Sequence, residues 1–78
     1  MSPNEVIAHE VRRMVAAELD REAGSRTLLY APVMAAAEKP LLEAVLKYRN
    51  FNQVHAARAL GINRNTLRKK MRAHGIKA

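Results

Sequence analysis

The sequence predicts an all-α fold of four helices whose last two form a helix-turn-helix. Three observations carry that expectation. Apolar residues recur at three- and four-residue spacing and no strand-like alternation occurs, which is helical periodicity. Glycine, proline and asparagine fall between the periodic stretches, where helices start and stop. The segment Gln53–Arg72, QVHAARALGINRNTLRKKMR, places a small residue and then a glycine between two short amphipathic stretches. Two helices that cross steeply through a tight turn need that arrangement.

The first helix, α1, is expected over about residues 3–23. Ser2 can cap it, Pro3 suits the first helical position, and Glu5 stands where a capping box wants its acid. Ile7, Val11, Met14, Val15 and Leu19 then recur on one face, and Gly24 is the expected stop. The second helix, α2, is expected from about Leu28, with Thr27 as N-cap, to about Arg49. Its apolar surface (Leu28, Leu29, Val33, Met34, Ala37, Leu41, Leu42, Val45, Leu46, Tyr48) is wider than one stripe, so it should be buried on several sides. Pro32 falls near the first turn. Pro40 falls in the interior and should kink α2 without ending it, because the apolar period resumes at Leu41. Asn52 should cap α3, about residues 53–60, and Gly61 should end it. The last helix, α4, is expected from Asn63 or Arg64 to about Gly75. Between α3 and α4, Ala57 is the small residue at the crossing, and Ala56, Leu60, Ile62, Leu67 and Met71 should face inward.

Charge divides the chain in two. Its 78 residues carry a formal charge of +7 and a pI near 10.6. Residues 1–48 hold six cations against seven acids, a net −1. Residues 49–78 hold Arg49, Arg58, Arg64, Arg68, Lys69, Lys70, Arg72 and Lys77 with no acid, a net +8. A cationic, acid-free helix-turn-helix is suited to a polyanion. A chain this short has a thin core unless a partner supplements it. With no cysteine, disulfides and thiolate metal sites are excluded, which leaves oligomerisation. The expected domain organisation is residues 1–49 for dimerisation and 50–78 for binding.

The α4 N-terminus is the expected reading element. Its first residues, Asn63, Arg64, Asn65 and Thr66, would enter a major groove. Arginine can take guanine O6 and N7, and asparagine adenine N6 and N7. Asn63 also has a competing role as N-cap. Arg68, Lys69, Lys70 and Arg72 surround the helix, so some of them would clamp phosphates. Asn52 and the amides at the start of α3 could hold another phosphate, with His55 adding to it. His9 and His74 are read as surface residues. No catalytic constellation, metal-ligand spacing or membrane-length apolar run is present, so no enzyme activity, cofactor, metal or small-molecule substrate is expected. Too few aromatics are present for stacking on single strands.

Residues 39–76, KPLLEAVLKYRNFNQVHAARALGINRNTLRKKMRAHGI, closely resemble the Fis (factor for inversion stimulation) family of bacterial nucleoid proteins. They also resemble the C-terminal DNA-binding segment of NtrC-type activators. The segment GINRNTLRKK is specific, and the helix lengths and break positions match over nearly the whole chain. The resemblance implies an intertwined homodimer with a kinked α2 and an interlocked α1–α2 core, in which Val11, Val15, Leu19, Val33, Leu41 and Val45 are the expected core positions. It implies duplex DNA as partner, bending of that duplex, and Asn63 with Arg64 as the base-contacting pair. Asn52, Thr66, Arg68 and Lys69 fall on family contact positions. Val54 and His55 replace a threonine and an arginine of the enterobacterial members, and Ala73 replaces a lysine. The chain reads as a free-standing member without the N-terminal β-hairpin arm, so stimulation of DNA invertases is not expected. The leading expectation is a cytoplasmic, nucleoid-associated transcriptional regulator, with RNA polymerase as a further candidate partner. The alternatives are a helical protein-interaction module or an activator's DNA-binding domain.

Overall fold

The computed structural model describes residues 2–21 and 28–77. The described residues form four α-helices in the order α1 Pro3–Arg21, α2 Tyr30–Tyr48, α3 Gln53–Leu60 and α4 Arg64–Ala73, with no strand among them. The fold is thus all-α with a C-terminal helix-turn-helix. The expected caps Gly24 and Thr27 lie outside the described residues. The α2 helix starts two residues later than its apolar pattern suggested, with the Val33 amide donating to Leu29 O at 3.0 Å. It continues through Pro40.

Two compact units divide the chain, Met1–Met34 and Ala35–Ala78. In the first, Ser2 Oγ accepts from the Glu5 amide at 3.3 Å and opens α1. Met14 and Ala17 of α1 line a groove of about 470 Å³ with Leu28, Leu29, Pro32 and Val33. None of this unit's described residues is buried.

The second unit has a true interior. Leu42 and Leu46 of α2, Ala56 and Ala57 of α3, and Leu67 and Met71 of α4 are buried together, with Val45, Leu60, Ile62 and Ile76 packed against them. Each large aliphatic buried this way stabilises by about 1.5–3 kcal/mol. The two alanines allow α3 and α4 to approach, as expected of Ala57. The sequence marks the α2 leucines only as part of a broad apolar surface. Here they supply the floor on which the helix-turn-helix sits.

Three helices end by the same closure. The Phe51 amide donates to Leu46 O (2.8 Å), that of Ile62 to Ala57 O (3.0 Å), and that of Ile76 to Met71 O (2.8 Å). Each is the six-to-one bond of a Schellman motif, followed by an apolar residue that can dock back. The left-handed position belongs to Gly61 (φ 77) and Gly75 (φ 68) at two of these ends, but to Asn50 (φ 54) at the first. Phe51 is left-handed as well (φ 60), a strained state for a bulky residue. A Cβ on Gly61 would meet nothing within 4 Å, so only backbone conformation resists it. Gly61→Ala is therefore expected to cost about 1–2 kcal/mol in urea denaturation. Asn50→Gly should shift the midpoint the opposite way. An unchanged midpoint in both variants would contradict this account.

Candidate nucleic-acid interface

The start of each short helix is built by an asparagine. Asn52 (φ −77, ψ 107) caps α3, its side chain accepting from the His55 amide at 3.0 Å. Asn63 (φ −68, ψ 145) caps α4, its Oδ1 accepting from the Asn65 amide at 2.7 Å. Asn63 therefore does fill the structural role. The cap occupies Oδ1 but leaves the side-chain NH₂ free to donate. At the α3 start the Gln53 and Val54 amides have no helical acceptor behind them, so they point outward as donors.

Successive residues of α4 turn about 100° around its axis. With Leu67 and Met71 facing the core, Asn65, Lys69 and Arg72 lie on the outer side. Arg64 and Arg68 lie on one flank and Lys70 on the other. Arg64, Asn65, Thr66, Arg68, Lys69 and Arg72 are all exposed. Among the basic residues of α4, Lys70 alone is half-buried. Arg68 and Arg72 meet Gln53 around a shallow groove of about 210 Å³. Arg68 and Arg72 of α4 thus adjoin the donor-rich start of α3.

Beside α3 lies a second groove, of about 300 Å³, lined by Arg49, His55, Arg58 and Ala59. The sequence marks His55 as a candidate contact, but not Arg49, Arg58 or Gln53. The signal for Arg58 was present in its spacing, three residues after His55 and one helical turn along. That for Arg49 was not, because it depends on how the chain turns after α2.

His74 corrects an expectation. It is not a free surface residue: its side chain is only 12% exposed, and Nε2 lies 2.8 Å from Glu38 Oε1. A carboxylate can only accept, so the imidazole donates from Nε2. Lys70 Nζ lies 2.9 Å from Glu38 Oε2. These hydrogen bonds, Lys70's first and His74's second, hold the Glu38 carboxyl below its ordinary value of 4.5 against an opposing effect of burial. A carboxyl whose folded value is depressed stabilises the fold above its unfolded value, and the contribution fades as pH falls through the folded value. Wild-type melting temperature is therefore expected to drop more steeply below about pH 4.5 than that of Glu38→Gln. Parallel melting profiles would rule this out.

The residues expected at a dimer core are not enclosed within the chain. Val11, Val15, Val33 and Val45 are half-buried, and Leu19 and Leu41 are exposed. Among the described residues no cluster of His, Asp and Glu could hold a metal ion. No described helix is long and apolar enough to cross a membrane.

The profile of the family described as "Bacterial regulatory protein, Fis family" matches residues 33–74, which takes in the helix-turn-helix and most of α2. The chain belongs to the Fis family. That membership puts it among regulatory proteins and not among enzymes. A Fis-like DNA-binding protein of Ralstonia nicotianae is 51% identical over 59 residues, 76% of this chain and 74% of that protein. The DNA-binding protein Fis of Vibrio cholerae is 48% identical over 50 residues, 64% of this chain and 51% of that one. Fis of Proteus mirabilis is 50% identical over 48 residues, 62% and 49% of the two chains. The chain thus spans about half the length of the Vibrio and Proteus Fis proteins it matches.

Proposed function

We propose that this chain is a homodimeric, duplex-DNA-binding transcriptional regulator that bends its target and acts in the cytoplasm at the nucleoid. One observation carries the binding: a capped, acid-free α4 exposes Arg64, Arg68, Lys69 and Arg72, and two of them, Arg68 and Arg72, adjoin Gln53 at the start of α3. Arg64 reads a base edge, with the Asn63 NH₂ beside it. Arg68, Lys69, Arg72, Thr66 and the α3 start with Asn52 grip phosphates. His55 with Arg49 and Arg58 holds the backbone at the edge of the footprint. Their grooves are shallow and cationic, suited to a polyanion's backbone and not to an enclosed small molecule.

The dimer is supported by what the single chain leaves uncovered. Tyr30 is 82% exposed, Tyr48 81% and Leu41 53%, and Leu19, Leu28 and Met34 are exposed as well. In this reading residues 1–49 pair two chains and residues 50–78 bind, so that two α4 helices face one duplex. If they stand closer than the ~34 Å that separates successive major grooves, the duplex must bend to receive both.

The test is duplex binding as a function of salt, with circular-permutation gel shifts for the bend. Lys69→Ala should weaken binding to all sequences alike and flatten the salt slope by about one charge. A protein-interaction module would not bind duplex at low salt. A loss confined to one sequence would take Lys69 away from the phosphates.

A further inference from the structure

The Glu38 carboxylate is shared between two donors four residues apart, Lys70 in the last turn of α4 and His74 at its C-cap, and both of its oxygens are engaged. It comes from α2, more than thirty residues earlier in the chain. Its position is otherwise unfavourable. A carboxylate against the last turn of a helix opposes the helix dipole, which favours cations there. Only the two donors make it tolerable. The pair is also shielded, with Lys70 and Glu38 side chains 39% and 34% exposed, so salt screens it less than an open surface pair.

We propose that Glu38 is a positioning residue for the recognition helix: it ties the last turn of α4 to α2 and withholds Lys70 from DNA. To reach a phosphate, Lys70 must leave an anion that already holds it at 2.9 Å. It trades one charge-assisted bond for another and abandons a half-buried carboxylate to His74 alone. Arg68, Lys69 and Arg72 face no such trade. The binding face therefore presents one cation fewer than the sequence suggests, and the same contact fixes the roll of α4, which sets where Arg64 points. The withholding of Lys70 rests on the reading of α4 as a DNA-binding helix; the tie itself does not.

The experiment separates the two using the full chain. Without DNA, thermal melts of Glu38→Gln, Lys70→Met and the double variant form a cycle. The tie predicts that the double variant melts close to Glu38→Gln, which has already lost both bonds. Additive losses overturn it, whatever the protein binds. With a short mixed-sequence duplex, binding is followed by fluorescence anisotropy across salt. Lys70→Met should leave the salt slope unchanged, whereas Lys69→Met lowers it by about 0.9. Glu38→Gln frees Lys70 and should steepen the slope by the same amount, so that a fourfold rise in salt costs it about threefold more affinity than wild type. The double variant should return to the wild-type slope. Equal flattening by Lys70→Met and Lys69→Met overturns the withholding. Absence of wild-type binding at low salt overturns the DNA reading and the withholding with it, while the melts still decide the tie.

Discussion

Arg64→Ala is expected to weaken binding to a preferred site by about 1–3 kcal/mol and to flatten the ranking among sites. Arg64 is the first residue of α4, directly after the Asn63 cap, and it is exposed. Its guanidinium extends from the end of the helix that would enter a major groove first. A bidentate arginine–guanine contact discriminates against the wrong base by about that amount, whereas a phosphate contact does not discriminate. The measurement is therefore a comparison: affinities of wild type and Arg64→Ala for a selected site and for a scrambled duplex at the same salt. Loss on the selected site alone supports base reading. Equal loss on both would reassign Arg64 to the backbone. No loss would remove it from the interface.

Leu41→Asp should have the larger effect. Leu41 is 53% exposed in the single chain, so a polar replacement leaves the buried cluster of Leu42, Leu46, Ala56, Ala57, Leu67 and Met71 intact. Within a paired interface the same aspartate would be an unpaired charge in an apolar setting, which is strongly unfavourable. Sedimentation should show wild type at twice the 8.7 kDa chain mass and the variant near the single value. Losing the second half-site should lower affinity on the order of 10²–10⁴-fold. A wild-type chain that sediments at the single mass while binding tightly would overturn the dimer.

Much of this was legible because it is local. Asn52 and Asn63 bond amides two or three residues away, and Gly61 takes a left-handed φ that its position in the turn demands. Such features repeat wherever the same few residues occur. The class of the fold and the inward positions of α3 and α4 followed from periodicity in the same way.

What was not legible depends on distant contacts or on context. Nothing in the spacing of Glu38, Lys70 and His74 brings one carboxylate to two donors; the packing of α4 on α2 does. That packing also turns Leu42 and Leu46 into the floor of the helix-turn-helix. Phe51 carries no mark of a left-handed residue, and it is held there by the bond from its amide to Leu46 O. The α2 start was blurred because Leu28 and Leu29 extend the apolar pattern past the first helical residue.

The unit spanning residues 1–34 has no buried residue among those described, and that has a consequence for dosage. In the dimer reading, a segment without an interior of its own gains one from the second copy, so its order depends on mass action. In the dimer reading, the supply of competent regulator would rise faster than in proportion to the chains made. Promoters under its control would then respond to its abundance as to a threshold.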